Sequence, residues 1–94
     1  MELRTLRYFL AVAREENMTE AANVLHVTQP TLSRQIADLE RELGVELFER
    51  TNRSCVLTGD GMRLRQRAEE ILALVDQTES EMGDQELGIA GNIR

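Results

Sequence analysis

Cysteine and histidine occur once each in the 94 residues, lysine does not occur, and no strictly apolar run is longer than the six residues Tyr8 to Ala13. Each shortage excludes something. A lone thiol, Cys55, makes no intrachain disulfide, and with only His26 beside it in the inventory it makes no ordinary structural zinc site. Cys55 is expected to be a small packing residue near a strand, a redox role being the sharper alternative. Six apolar residues fall far short of the roughly 20 that cross a bilayer. The start, MELRTLRYF, has no apolar segment behind a basic one, so no secretory signal is expected and a cytoplasmic location follows. Catalysis fails on inventory too. His26 and Cys55 stand 29 residues apart, and the acid pairs Glu15-Glu16 and Glu69-Glu70 occupy adjacent helical positions, which reads as solvated faces and not as general acid and base. No enzymatic activity and no metal site are expected.

The charge that is present is unevenly placed. The net charge is -6, yet residues 1 to 68 hold ten Arg and ten acids, while residues 69 to 94 hold one Arg and seven acids. The first two thirds are therefore neutral, and the acidity belongs to the end of the chain. All eleven basic residues are Arg, the side chain that forks onto phosphate and guanine and enters narrow minor grooves. A GC-rich coding sequence would produce the same bias.

Between Asn17 and Asn52 the pattern is that of two helices, a short turn and a hairpin. Thr19 is placed to cap a short helix that runs through Val24 and Leu25, and Val27-Thr28-Gln29 turns the chain. A second, longer helix runs from about Pro30 to Leu43. Its apolar residues Leu32, Ile36, Leu39 and Leu43 are spaced four, three and four, forming one stripe to bury. Pro30 suits the first turn, where a missing amide hydrogen costs nothing, and Gly44 ends the helix. Ala21 and Ala22 lack bulk, which suits a close crossing of the two helices. The first turns of the second helix then present Gln29, Thr31, Ser33 and Arg34 outward. Arg forks onto guanine, Gln onto adenine, and Ser or Thr bonds phosphates and base edges. An ordinary packed helix pair would explain the stripe but not this polar cluster.

Two segments frame that unit. Leu3 to about Glu15 is expected to be a supporting helix with Leu3, Leu6, Leu10 and Ala13 on one face and Phe9 and Val12 beside it. From Glu46 to Thr58, Leu47, Phe48, Val56 and Leu57 flank the polar tip Arg50-Thr51-Asn52-Arg53-Ser54, the pattern of a two-stranded wing. Arg50 and Arg53 on that tip are placed to reach the DNA backbone or the minor groove, the alternative being solvated loop arginines. After Thr58, a good cap, the chain is strongly helical to about Met82. Leu64, Ala68, Ile71, Val75, Thr78 and Met82 follow a heptad rhythm, with Leu72 and Leu74 widening the stripe. A second copy of this helix is the simplest cover for the stripe, giving a two-fold dimer with two reading heads for an inverted repeat. The alternative is a helix folded back on its own domain.

Taken together, these segments closely resemble the amino-terminal part of LysR-type transcriptional regulators over nearly the whole chain. The matching features are LRYFLAVA, the helix-turn-helix TEAANVLHVTQPTLSRQIADLERELG, the wing LFERTNR, the LTGDG lead into the long helix, and the closing GNIR. Asn17-Met18, where many members have Ser-Phe, and Gly59-Asp60, where Glu-Ala is common, depart from the pattern. The resemblance implies a mainly α fold: a winged helix-turn-helix of three helices plus a two-stranded wing over 1–58, with the helix-turn-helix at about 18–37. A linker or dimerisation helix would follow over 59–86. It implies sequence-specific binding of double-stranded DNA as a dimer, with Gln29, Pro30, Thr31, Ser33 and Arg34 at the major groove and Arg53 at the wing. The dimer would form through Leu64, Ala68, Ile71, Leu72, Val75 and Met82, with higher oligomers of the full-length protein and no membrane partner. Residues 87–94 would hold the hinge and the start of a co-inducer-binding domain absent from these 94 residues, with GNIR as its first strand, and Gly83, Gly88 and Gly91 would mark the hinge between the two parts. No cofactor is expected in such a fragment, the small-molecule co-inducer belonging to the missing domain. The rival reading is a winged helix that binds another protein without touching DNA, which a strongly salt-dependent affinity for duplex DNA separates from the first.

Overall fold

The structure, a computed structural model, describes residues 1–90, of which 84–90 by backbone alone. Three helices, α1 (Leu3–Glu15), α2 (Met18–Leu25) and α3 (Gln29–Leu43), precede a hairpin of β1 (Phe48–Arg50) and β2 (Cys55–Leu57) and a long helix α4 (Gly59–Ala90). This is the winged helix-turn-helix with a following long helix that the sequence led us to expect. No helix among the described residues is long and apolar enough to cross a membrane.

Each of the first three helices stops on a left-handed residue whose amide closes the last turn: Glu16 (φ 55), His26 (φ 61) and Gly44 (φ 73). Gly44 adopts this conformation without a Cβ penalty, whereas Glu16 and His26 carry some strain. The cap of α2 is Asn17 and not Thr19: its Oδ1 accepts from the Glu20 amide at 2.8 Å. Both residue types cap well, but Met18 is buried in the core, so the helix has to begin early enough to include it. On α3, Thr28 accepts from the Thr31 amide at 3.3 Å, and Pro30 occupies the first turn.

The core lies where the helix pair, α1 and the wing meet. Phe9 and Val12 are wholly buried with Ala21, Leu32, Ile36 and Leu47, and the Phe9 and Phe48 rings sit 5.4 Å apart, centroid to centroid. The face assigned to α1 is therefore corrected. Phe9 and Val12 are central, Leu10 and Ala13 are half-buried, and Leu3 is 43% exposed. The reason is that α1 packs on two sides, with Phe9 toward the helix pair and Leu6 toward Ala68 and Leu72 of α4. On α3 the stripe holds for Leu32, Ile36 and Leu39. Leu43 departs from it at 39% exposed, because the helix ends there and Gly44 turns the chain away. Leu39→Ala is expected to cost about 2 to 5 kcal/mol, read by urea or thermal melting, since it empties space that the surrounding helices refill only in part. A melt that barely moves would mean that this face of α3 is not the buried one.

The wing is antiparallel, pairing Phe48 with Leu57, Glu49 with Val56 and Arg50 with Cys55. Thr58 ties it to α4: its hydroxyl donates to the Glu46 carbonyl at 2.6 Å and accepts from the Gly61 amide at 3.0 Å, while its own amide donates to the Leu47 carbonyl at 3.0 Å. The cap expected at Thr58 is thus present. The apolar stripe of α4 divides in a way that its rhythm did not show. Leu64, Ala68 and Leu72 pack against Leu6 and Leu10 of the chain's own α1, with half-buried Ile71 beside them. These residues, read as the dimer seam, are thus covered wholly or partly from within, because the i, i+4 row they share faces α1. Val75 remains half-exposed, and Leu74, Thr78 and Met82 are open to solvent. The helix also continues to Ala90, through Gly83 and Gly88, where a hinge was expected. An isolated glycine costs only about 1 kcal/mol inside a helix, which a long helix tolerates. Gly91 and the GNIR segment lie outside the described residues.

Candidate nucleic-acid interface

Burial of Leu32, Ile36 and Leu39 fixes the rotation of α3, so its first turns show the opposite face. Gln29, Pro30 and Arg34 are exposed, and Thr31 and Ser33 are half-buried. Thr31 is oriented locally, its Oγ1 accepting from the Thr28 hydroxyl at 2.7 Å. The wing tip is held as firmly. Thr51 Oγ1 accepts from the amides of Arg53 (3.3 Å) and Ser54 (3.1 Å), and the Thr51 amide donates to the Ser54 carbonyl at 2.9 Å. Side chain-to-backbone bonds of this kind fix a tight turn at the tip.

An open cleft of about 200 Å3 separates α3 from the wing, and the structure brings Gln29, Ser33, Arg50 and Arg53 together along it, with Asn17 and Thr19 at the amino end of α2. Pro30, Thr31 and Arg34 share the first turns of α3 but do not line this cleft. The cationic groups differ in their freedom. Arg50 Nη2 lies 3.7 Å from Glu40 Oε1, and the other oxygen of that carboxylate accepts from the Leu47 amide at 2.8 Å. Glu40 therefore fastens the base of the wing to α3 and draws Arg50 into that junction. Arg34 and Arg53 make no ion pair among the described residues, so the guanidinium groups remain open to an anionic partner. An exposed cation with no fixed counter-ion attracts phosphate at little desolvation cost.

Two polar residues at the amino end of α2 line the cleft though the sequence did not mark them as part of it. Thr19, relieved of capping, is exposed at the rim, and Asn17 both caps α2 and donates through Nδ2 to the Arg53 carbonyl at 3.1 Å. The available signal was the ordering Asn17-Met18, a strong cap before an apolar residue. Cys55 starts β2 and is buried at the back of the cleft. Burial pushes its thiol up from the ordinary range, against the pull of the Arg50 charge, so the reactive thiolate is disfavoured. That accords with a packing residue. Farther along α4, Ile71, Leu74, Val75 and Thr78 line a shallow apolar groove, with Leu74 62% exposed.

Comparison with known proteins places this geometry. The family model described as "Bacterial regulatory helix-turn-helix protein, lysR family" matches residues 3–62. The chain is 51% identical over 77 residues to the HTH-type transcriptional regulator BenM of Acinetobacter baylyi, a match covering 82% of this chain and 25% of that one. It is 46% identical over 93 residues to the HTH-type transcriptional regulator BudR of Klebsiella aerogenes, covering 99% of this chain and 65% of that protein. The chain thus spans between a quarter and about two thirds of these relatives' length. Among solved structures, the BenM DNA-binding domain in complex with catB site 1 DNA superposes with a TM-score of 0.89 at 46% identity, covering 94% of this chain and 95% of that one. The helix-turn-helix, the wing and the family match over most of their residues agree, and the chain belongs to the lysR family of bacterial regulatory helix-turn-helix proteins.

Proposed function

We propose that this chain binds double-stranded DNA sequence-specifically, as the DNA-reading part of a transcriptional regulator that pairs on an inverted repeat. The observation that carries the reading is the exposed polar face of α3 set across a cleft from the arginine-bearing wing, all on a packed scaffold. The BenM domain, similar to this chain throughout, is seen on DNA. A helix of this width fits the major groove, with Gln29, Pro30, Thr31, Ser33 and Arg34 at its reading end, and the wing then lies beside the minor groove with Arg53 at its tip. Arg50, shared with Glu40, serves chiefly to hold the wing and contributes to the phosphate field from the rear. The role is one of binding, without catalysis. Dimerisation runs through the apolar face of α4. A co-inducer-binding domain follows in the full-length regulator, as the greater length of the relatives suggests, and higher oligomers form there.

Fluorescence anisotropy tests the reading with duplexes enriched by in vitro selection on the protein and with scrambled controls. Affinity is expected to fall steeply with salt, because each neutralised phosphate releases counterions. Arg34→Ala should cost about 1 to 3 kcal/mol of specific binding and relax the preference at one base position. Arg53→Ala should instead weaken binding most on A·T-rich flanks and flatten the salt slope, since a narrow minor groove concentrates negative potential. Failure to enrich any duplex, or an affinity indifferent to salt, would favour a protein-binding winged helix.

A further inference from the structure

The wing is held to the rest of the molecule at the corner between α1 and α2 by two hydrogen bonds from neighbouring residues. The Cys55 amide donates to the Glu16 carbonyl at 3.0 Å, and Asn17 Nδ2 donates to the Arg53 carbonyl at 3.1 Å. Glu16 is one of the two non-glycine residues with positive φ among the described residues. Its left-handed backbone ends α1 and leaves its carbonyl available to the return strand of the wing. Asn17 follows in extended conformation, with its Oδ1 taken by the amide of Glu20 and its Nδ2 turned to the wing. One planar amide thus bridges the first turn of the helix-turn-helix and the backbone of the one wing arginine that has no ion-pair partner among the described residues.

We infer that Asn17 is a positioning residue for the wing, fixing where Arg53 stands relative to α3 and so setting how strongly the protein distinguishes minor-groove flanks. The inference rests on the DNA-binding reading given above. The wing tip is rigid within itself through Thr51, so it moves as a unit and its placement depends on its external ties. On the β1 side that tie is the Glu40 carboxylate, which holds Arg50 and the Leu47 amide. On the β2 side Thr58 anchors the base to α4, and Glu16 and Asn17 tie the strand to the corner between α1 and α2. Of these, only Asn17 grips the tip itself, at Arg53, rather than the base of the strand. Many residues could cap α2, since the cap needs only an acceptor oxygen. The bond to Arg53 needs a donor on the same side chain as well, and asparagine supplies both at the right reach.

Asn17→Ser separates the two duties in the full 94-residue chain, because a serine hydroxyl keeps the cap acceptor but is too short to serve the wing as well. The probes are duplexes enriched by in vitro selection on the parent protein, carrying the same core between A·T-rich or G·C-rich flanks. The expected result is a flank preference, read as the ratio of affinities for A·T-rich and G·C-rich flanks around the same core, reduced about fivefold, the equivalent of one ordinary hydrogen bond. In an Arg53→Ala background the same substitution should have no further effect on flank preference, because the group it places is gone. Asn17→Asp, which also caps but cannot donate, should lose the preference as Asn17→Ser does once measured at high salt. A full flank preference in Asn17→Ser, or a loss that persists undiminished beside Arg53→Ala, would overturn the assignment. If the parent enriches no duplex or shows no salt dependence, the DNA-binding reading itself fails, an outcome distinct from either of these.

Discussion

Gly61→Ala is expected to destabilise the domain by about 3 kcal/mol or more, while Gly59→Ala, two residues earlier, leaves it unchanged or slightly more stable. Both glycines lie in the first turn of α4 and neither has a left-handed backbone. Around Gly59 nothing stands within 4 Å of where a Cβ would go. At Gly61, which is buried, a Cβ would run into the Leu47 backbone carbonyl and come within 2.8 Å of Leu57 Cδ2. That carbonyl has no room to yield, because it accepts from the Thr58 amide at the joint between wing and helix. Relief requires shifting α4 away from the hairpin, which breaks the Thr58 bonds and loosens the packing of Leu57 together. A domain of this size has only about 5 to 15 kcal/mol of net stability, so the loss is a large share of it. Chemical denaturation of the two variants side by side checks the prediction. Equal midpoints would mean that the hairpin and α4 do not approach as closely as they do here.

The second large effect concerns assembly. Replacing Leu74 and Val75 together with aspartate is expected to convert a dimer to a monomer in sedimentation equilibrium and to reduce affinity for an inverted repeat by about 10²- to 10⁴-fold, toward that for a single half-site. Linking two reading heads makes the second contact intramolecular, and loss of the link removes that gain without altering either head. Leu74 is chosen because it is open to solvent in one chain and Val75 because it borders the same apolar groove. Charge placed there is tolerated by the folded monomer but not by a buried seam. Ile71 and Leu72 make poorer targets. They pack with Leu6 and Ala68 inside the chain, so aspartate at either would unsettle the fold and confound the readout. The acidic residues Asp76, Glu79 and Glu81 close by add repulsion to any variant seam. A parent chain that is already monomeric at micromolar concentration would move dimerisation to residues outside these 94.

The elements and their order were legible in the chain because helix stops, caps and the four-three spacing of apolar residues act over a few neighbours. Thr28, Pro30, Gly44 and Thr58 each mark an element boundary by such short-range rules. The same local rules exposed the polar cluster Gln29, Thr31, Ser33 and Arg34, because burying Leu32, Ile36 and Leu39 leaves it no other side. What each face meets is a matter of packing between distant segments. Whether Leu64, Ala68 and Leu72 await a second chain or rest on Leu6 depends on α1, at the opposite end of the domain's sequence, and periodicity records that a face is apolar but not what covers it. The same holds for Arg50, drawn to Glu40 while Arg53 stays open, and for Gly61, whose missing side chain matters only because the Leu47 carbonyl arrives beside it. Asn17 shows the division within one residue. Its oxygen obeys a local rule that sequence reading can apply, and its amide nitrogen bonds a carbonyl 36 positions away that only folding brings within reach.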